Sequence, residues 1–333
     1  MMETIFFHLN QLGDFVFSIP ALISYRKSFP DAFIVSIVRP AFAEILIQSG
    51  LVDRVLSRNS GISKRSFDLI KQLRMIKPDV AVSFSQSASC AIFSYLSGAN
   101  IRVGFHNTTL GFLLNKRIDM QHPPSVENNI RLVQSMGCKI IEKDYFSTVR
   151  ISEQATQDAN NLLQQYGINQ SDKTIILSPA TSSRRTIKEW DNSKFAEVGK
   201  WLIENDIKPV ILGNVPSTEI KNMNNDILDL SGKTTILQAA AIIKKSLAVV
   251  SVDSGLLHLS EAVGTNVVGL YGPSNHTKTG PIGAKSKVVR AEIDCSPCMK
   301  KKCKINRECM KQISSEQVID ALKSILDEEL VGA

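Results

Sequence analysis

The amino-acid sequence predicts an α/β fold built from two doubly wound, Rossmann-like parallel sheets. Its 333 residues suit two domains of about 150 residues each. Short apolar runs alternate with longer amphipathic stretches, which is typical of parallel strands joined by crossover helices. This alternation weakens between residues 105 and 172 and then restarts, so the two halves are expected to join there.

In the first half, each apolar run predicts a strand and each amphipathic stretch a helix. Two prolines, Pro123 and Pro124, then interrupt the pattern before a helix at 126–136. The strands are expected at 5–9, 33–38, 52–56, 80–84 and 101–104, and the helices at 15–28, 41–48, 66–76 and 87–96.

The second half repeats the pattern after a helix at 153–165. A run of capping residues, 314–317, opens a final helix that extends to about residue 330. Ligands of doubly wound folds bind at the carboxyl ends of the strands, so the site is expected there, in the cleft between the halves. The strands are expected at 174–177, 209–212, 248–252 and 267–270, and the helices at 192–204, 218–225, 235–245 and 256–263.

The composition is that of a protein with hydrophobic cores and no membrane span. Apolar residues make up 43% of the chain, yet no apolar run reaches the roughly 18 residues that a spanning helix needs. The first residues lack the basic region and the small-residue cleavage site of a signal peptide. We therefore expect a cytoplasmic protein.

The positive charge is concentrated in the first half. Residues 1–150 contain 17 Lys and Arg against 11 Asp and Glu, whereas residues 151–333 contain 22 against 21. A basic half suits a phosphorylated lipid, an anionic membrane surface or nucleic acid. An ordinary solvated surface would explain the same excess.

The first candidate for chemistry is Asp14, which follows Gly13 where the first strand passes into the first helix. A carboxylate at a strand's carboxyl end could act as a general base. The alternative is that Asp14 only caps the helix, a position that favours Asp. The segment is not a dinucleotide fingerprint, because it lacks the G-x-G-x-x-G pattern.

A second candidate is an anion site at residues 251–258. A strand ends at Val252 and a helix opens at Ser254 and Gly255, where free N–H groups favour a phosphate. Asp253 precedes this turn, and His258 lies one helical turn further on. The alternative is a capped helix with a half-buried histidine.

The loop at 178–190 is a third candidate, because it follows a strand and carries three cations within residues 184–188. A departing diphosphate needs such charges and donors. The alternative is an exposed basic loop.

The loop at 212–219 is a fourth candidate. Glu219 could accept hydrogen bonds from ribose hydroxyls, and capping of the helix by Ser217 or Thr218 is the alternative.

Four cysteines, Cys295, Cys298, Cys303 and Cys309, stand in a lysine-rich segment. Four thiolates could hold a structural zinc ion in tetrahedral geometry, which would leave no position open for catalysis. The alternatives are reduced thiols or adventitious disulfides.

Taken together, these motifs resemble glycosyltransferase family 9, the ADP-heptose:lipopolysaccharide heptosyltransferases. Three segments carry the resemblance: Gly13-Asp14 with Pro20 shortly after, Asp253 to His258, and Gly269 to Pro273. A lysine shortly before Trp190 and a cysteine-rich segment also recur in that family, so the similarity covers nearly the whole chain.

The resemblance implies a GT-B fold with an interdomain cleft. It implies an acceptor-binding domain at 1–160, a nucleotide-sugar-binding domain at 161–313, and a C-terminal helix at 314–333 that packs back across the domains. It also implies transfer of heptose from ADP-heptose to a phosphorylated, lipid-linked acceptor of the lipopolysaccharide inner core, with inversion at the anomeric carbon. The partner surface would be the inner face of the inner membrane, and no nucleic acid is expected.

The family's roles transfer onto individual residues. Asp14 matches the catalytic base and Lys188 the lysine that contacts the donor phosphates. The remaining donor-binding positions are Ser183, Arg184, Glu219, Asp253, Ser254, Gly255 and His258. No cofactor is expected for catalysis, because the chain lacks the D-x-D motif that binds metal in the other large transferase fold.

Other functions stay open at this stage. A transferase for another nucleotide sugar, or a nucleotide-sugar 2-epimerase, would share the fold. A non-catalytic protein that binds nucleotide or nucleic acid is supported only by the basic first half, since aromatic residues are 6% of the chain and no stacking platform is evident.

Overall fold

A computed structural model describes residues 1–8, 11–58, 65–121, 125–181 and 186–331 of the chain. The chain divides into two compact units, Met1–Arg150 and Ile151–Ala333. Each unit is described by itself below.

The first unit contains a parallel sheet of six strands within its described residues, in the order β3-β2-β1-β4-β5-β6. The five predicted strands are confirmed, and β6 is an addition. It was missed because three residues, two of them cationic, do not form an apolar run. The strands are β1 Glu3–Phe7, β2 Phe33–Val38, β3 Arg54–Ser57, β4 Val80–Ser83, β5 Ile101–Phe105 and β6 Lys116–Ile118.

Helices connect these strands and cover the sheet. The single helix predicted at 15–28 is wrong, because the structure has two helices there. Pro20 has no N–H to donate to the carbonyl four residues before it, and the Ser18 hydroxyl donates to the Phe15 carbonyl at 2.6 Å. The helices are α1 Leu12–Val16, α2 Ile19–Ser28, α3 Ala43–Ser49, α4 Arg65–Ile76, α5 Ala88–Leu96 and α6 Ser125–Gln134.

The second unit contains another parallel sheet, with six strands in its described part, in the order β12-β11-β10-β7-β8-β9. The four predicted strands are confirmed, whereas the short β9 and β12 were missed. The strand order reverses between β7 and β10, and such a switch point is where doubly wound folds bind ligands. The strands are β7 Thr174–Ser178, β8 Lys208–Ile211, β9 Leu228–Asp229, β10 Ala248–Val252, β11 Val267–Tyr271 and β12 Lys287–Arg290.

The second unit begins at Ile151, and its first helix, Glu153–Gln165, packs against the helix Ile236–Lys245. The expected domain boundaries at 160 and 313 stay predictions. The helices are α7 Glu153–Gln165, α8 Asn192–Glu204, α9 Thr218–Met223, α10 Ile236–Lys245, α11 Gly255–Ala262, α12 His276–Thr279, α13 Glu308–Lys311 and α14 Ser315–Val331.

The last helix, α14, packs on α8 and on the strands β10, β11 and β12 of its own unit. Its predicted cap is confirmed: the Ser314 N–H donates to Gln317 Oε1 at 2.9 Å, and the Gln317 N–H donates to Ser314 Oγ at 3.3 Å. Packing of this helix across both domains stays a prediction. Across the described residues, we find no helix with the length and apolar character of a membrane span.

Candidate functional site

A nearly buried ion pair lies at the switch point of the second unit. Asp253 directly follows β10, and Lys188 ends a short 3₁₀ turn, Thr186–Lys188, in the segment after β7. The Lys188 Nζ donates to Asp253 Oδ2 at 2.5 Å and lies 3.4 Å from the Asp253 carbonyl oxygen. The two side chains are only 20% and 8% exposed, so two predicted site residues, 65 positions apart, meet here.

His258 approaches the other carboxylate oxygen, with its Nε2 3.6 Å from Asp253 Oδ1. Burial alone would raise the pKa of Asp253, but the hydrogen bond from His258 and the charge of Lys188 outweigh it and hold that pKa well below its usual range. The carboxylate is therefore ionised at neutral pH, and it holds the lysine in place.

The amino terminus of α11 adjoins this pair. Ser254 is the N-cap residue, with extended backbone and no side-chain capping bond within the described chain. Its hydroxyl instead lies 3.3 Å from that of Ser251. The first N–H groups of the helix, from Gly255 onward, are therefore not occupied by the cap and can receive an anion.

A groove of about 610 Å³ lies beside the loops that follow β7 and β8. Its lining includes Glu189, Trp190, Glu219 and Arg307. Charged groups at strand ends are suited to the ribose hydroxyls of a nucleoside, whereas Trp190 is only 3% exposed and belongs to the core. Of these four residues, only Glu219 was predicted as an individual donor-binding residue, and Glu189 and Trp190 lie in the candidate loop at 178–190.

Glu219 is exposed in the groove, and its Oε2 accepts a hydrogen bond from Asn192 Nδ2 at 2.5 Å. The loop that precedes Glu219 is held by Asp229, a buried residue. Its carboxylate accepts hydrogen bonds from the N–H groups of Ser217 and Ser231, at 2.9 and 2.8 Å. Ser217 is the N-cap of α9 but makes no side-chain capping bond among the described residues. The alternative that the Ser217 hydroxyl caps this helix is therefore wrong.

Arg307 connects the groove to the lysine turn. Its Nη1 lies 3.3 Å from the carbonyl oxygens of both Thr186 and Glu189, on either side of Lys188. Burial raises the pKa of Glu189, although Arg307 and a hydrogen bond from Thr181 partly oppose that shift. Sequence reasoning missed Arg307, because nothing local distinguishes it from the lysines around it.

In the first unit, Asp14 lies half-buried in the first turn of α1. Gln11, not Asp14, occupies the N-cap position, so the capping alternative is wrong. The next residue, Phe15, is fully buried between the rings of His8 and Phe42, with centroids 5.5 and 5.3 Å away. This packing anchors the short helix that carries the carboxylate.

His8 is a buried histidine beneath α1 that the sequence did not single out. Its Nδ1 lies 2.7 Å from Ser18 Oγ and its Nε2 3.1 Å from Ser36 Oγ. Because Ser18 gives its proton to the Phe15 carbonyl, Nδ1 is the protonated nitrogen and Nε2 accepts from Ser36. Burial lowers the pKa of His8 from 6.5 to about 3, so the ring is neutral and structural.

Arg58 is a second unpredicted residue, placed directly after β3. Only 7% of it is exposed, its Nη2 donates to Cys90 Sγ at 2.9 Å, and its guanidinium lies over the Phe93 ring. The remaining donors, Nε and Nη1, are buried without a hydrogen-bond partner in the described structure. A charge in such surroundings opposes folding.

The four cysteines are not paired in disulfides among the described residues, and the structural zinc ion expected there stays a prediction. Cys295 is exposed and Cys309 buried. Cys303 Sγ accepts from the Arg307 N–H at 3.2 Å, and this and a second backbone hydrogen bond lower its pKa. No group of three or more His, Cys, Asp or Glu side chains is arranged for a metal ion in the parts of the chain that the structure describes.

Two predicted donor-binding residues, Ser183 and Arg184, lie outside the described residues. The other predicted residues separate into two sets. Lys188, Glu219, Asp253, Ser254, Gly255 and His258 belong to the second unit, and Asp14 belongs to the first.

Comparison with known proteins gives a consistent result. Residues 66–308 match the family model of glycosyltransferase family 9 (heptosyltransferase). Lipooligosaccharide heptosyltransferase 2 of Campylobacter jejuni is 28% identical, over 97% of this chain and 98% of its own length.

Two solved structures share the fold. ADP-heptose lps heptosyltransferase II of E. coli superposes with a TM-score of 0.81, at 22% identity, over 98% of this chain and all of that one. E. coli heptosyltransferase WaaC with ADP-2-deoxy-2-fluoro heptose gives 0.73 at 18% identity, over 97% and 99%. These similarities confirm the predicted α/β, GT-B fold class.

Proposed function

Because this chain belongs to glycosyltransferase family 9, and is thus a glycosyltransferase, we propose that it transfers heptose from ADP-heptose to an inner-core lipopolysaccharide acceptor. The transfer inverts the anomeric configuration and needs no metal ion. The observation that carries this proposal is the cluster of Lys188, Asp253 and the α11 amino terminus, placed at the switch point beside a groove of nucleoside size.

The cluster suits the diphosphate of a nucleotide sugar. The N–H groups that begin α11 offer donors to phosphate oxygens, and the helix dipole adds positive potential. Lys188 supplies a cation that is held on Asp253 and is still 20% exposed. These groups would stabilise the charge that develops on ADP as the sugar departs.

Asp253 then positions the lysine and does not contact the phosphates itself. A buried carboxylate would repel a diphosphate, whereas a lysine fixed by that carboxylate needs no reorganisation to receive one. His258 stabilises the same carboxylate from its other oxygen. This assigns distinct parts to residues that the sequence grouped together as donor-binding.

The groove would take the adenosine. Glu219 lines it and could accept from ribose hydroxyls, while Arg307 supplies a donor. The E. coli enzyme with ADP-2-deoxy-2-fluoro heptose has the same fold, and its ligand motivates the proposal of an ADP-linked donor.

Asp14 is the proposed general base. As the acceptor hydroxyl oxygen bonds to the anomeric carbon, its proton passes to the Asp14 carboxylate, and the bond to the ADP oxygen breaks on the opposite side. A single displacement of this kind inverts the configuration. The mechanism requires the two units to present Asp14 and the diphosphate to the same anomeric carbon.

The acceptor is proposed to be anionic and lipid-linked. The first unit carries the positive excess of the chain, and the C. jejuni relative is a lipooligosaccharide heptosyltransferase. Such an acceptor would place the enzyme at the inner face of the inner membrane.

A direct assay tests the whole proposal. Purified protein is incubated with ADP-heptose and a deacylated inner-core acceptor, and ADP release and product mass are measured, with the product's anomeric configuration read by NMR. We expect heptosylated product with inverted configuration only when both substrates are present. Conversion of donor without acceptor would show an epimerase or hydrolase instead, and equal use of UDP-glucose would overturn the donor assignment.

A further inference from the structure

We propose that helix α4 of the first unit is a membrane-docking element that seats the protein on an anionic lipid bilayer. This inference deepens the proposed function, because a lipid-linked acceptor is reached at such a surface. The biological role of docking rests on the proposed function, whereas the binding of α4 to lipid can be tested without it.

The helix has one face that belongs to the core. Leu69 and Leu73 are 6% and 0% exposed and pack in the cluster that contains Phe7 of β1 and Phe93 of α5. This face anchors α4 on the sheet, so the opposite face has a fixed orientation.

The opposite face presents two large apolar side chains to solvent. Phe67 and Met75 are 75% and 74% exposed, and the eight-residue step between them turns the helix by about 80° beyond two full turns. Isolated exposed apolar residues are ordinary, but here both border one shallow depression of about 510 Å³.

Cations lie between and beside these two residues. Lys71 and Arg74 lie one and two turns after Phe67, and Lys77 follows the end of the helix. All three line the same depression. Within α4 the single acidic residue is Asp68, so this surface is strongly basic.

This pattern fits a bilayer surface better than a protein partner. Protein interfaces exclude lysine from their centre, whereas Lys71 lies between Phe67 and Met75. In a lipid headgroup region, aromatic and thioether side chains enter the acyl boundary while Lys and Arg extend to the phosphates. The positive excess of the whole first unit adds attraction to an anionic leaflet.

Vesicle flotation of the full chain tests the proposal. Vesicles of phosphatidylethanolamine and phosphatidylglycerol are compared with neutral phosphatidylcholine vesicles, at low and high salt. The variants are Phe67→Ser with Met75→Ser, and Lys71→Glu with Lys77→Glu. Matched controls are Phe112→Ser, which removes a phenyl ring that is 76% exposed in the same unit, and Lys200→Glu on α8, whose side chain is 71% exposed.

We expect the wild type and both controls to float with anionic vesicles at low salt and less so at high salt. Each lipid-facing cation is worth about a fivefold change in binding, so the double charge reversal should weaken binding at least ~25-fold. Loss of Phe67 and Met75 should weaken it at any salt concentration. Equal loss in the control variants, or unchanged flotation of the α4 variants, would overturn the proposal.

Two further measurements separate this inference from its alternatives. Light scattering of the wild type and of the Phe67→Ser, Met75→Ser variant tests whether α4 instead contacts a second copy of the chain. If the wild type is a dimer, the variant is a monomer and neither protein binds vesicles, lipid docking is overturned. Transfer to the deacylated acceptor should be unchanged in all variants. Normal transfer without vesicle binding would refute docking alone, and vesicle binding without transfer would refute the proposed activity alone.

Discussion

The Nζ of Lys188 lies 2.5 Å from Oδ2 of Asp253, and only 8% of the Asp253 side chain is exposed to solvent. The cation proposed for the donor phosphates is thus held in place by a nearly buried carboxylate. Stability and donor affinity are therefore linked at one ion pair, and variants of its two members can separate them.

The first prediction concerns that separation. Lys188→Met should lower ADP affinity about ten- to a hundredfold, through loss of a charge-assisted hydrogen bond. It should also destabilise the second unit by up to about 3 kcal/mol, because a buried carboxylate loses its cation. Titration calorimetry with ADP and urea unfolding followed by fluorescence of Trp190 and Trp201 measure the two effects.

Adding Asp253→Asn to Lys188→Met is the control. Removing the second charge should restore much of the stability but none of the ADP affinity. If the double variant binds ADP like the wild type, Lys188 does not contact the phosphates.

The second prediction is that Asp14→Asn lowers turnover by ~10²-fold or more while ADP affinity and thermal stability stay near wild type. The amide keeps the size of the side chain but cannot accept the proton. Initial rates at saturating donor and acceptor provide the measurement. Glu44→Gln, in the first turn of α3, serves as a control for charge loss in the same unit, and normal turnover of Asp14→Asn would remove it from the mechanism.

The third prediction is acid sensitivity of the first unit through His8. The folded pKa of about 3 is below the ordinary 6.5, so between these values the unfolded chain binds a proton that the folded protein does not. Stability should therefore fall as pH falls through this window, by up to about 1.4 kcal/mol per pH unit, and be independent of His8 above it. In His8→Gln the slope should be shallower.

Urea unfolding at a series of pH values, followed by circular dichroism, measures this slope. His106→Gln is the matched control, because the His106 side chain is 60% exposed. An identical slope in wild type and His8→Gln would contradict the prediction.

The fourth prediction reverses the usual result for a buried residue. Arg58→Met should leave stability unchanged or raise it by about 1–2 kcal/mol, because a buried guanidinium with two unpartnered donors is replaced by an apolar side chain. Arg102→Met is the contrast, since Arg102 donates to the carbonyls of Leu113 and Ala99 at 2.8 Å each, and its loss should destabilise by about 1–3 kcal/mol. Denaturant midpoints followed by circular dichroism compare the two, and a larger loss for Arg58→Met would show that its cation is compensated.

The sequence predicted the fold well wherever strands are long and apolar. A buried parallel strand such as β10 reads as a continuous apolar run, whereas β6 and β9 have three and two residues and are defined only by their partners. The break between α1 and α2 could have been anticipated from Pro20. It was missed because the apolar periodicity continues across it.

The candidate site was predictable to the extent that its residues follow strands. Glu219, Asp253 and the loop that contains Lys188 were identified because polar residues at strand ends share one edge of the sheet, and the family resemblance selected Lys188 within that loop. Their pairing was not, since Lys188 and Asp253 are 65 positions apart and no local pattern indicates an ion pair. Arg307 was missed because it lies 118 positions from Glu189, whose carbonyl it contacts. The four cysteines suggested a metal site, but their spacing alone could not decide whether they bind a metal ion.

Two residues near the carboxyl end of the chain, Arg307 and Ile313, contact the segment that carries Lys188. Arg307 lies on its carbonyls, and the Trp190 Nε1 donates to the Ile313 carbonyl at 3.0 Å, just before α14 begins. Local unfolding of that last helix would therefore release the lysine as well. Amide exchange around residues 186–190 should then rise together with that of α14.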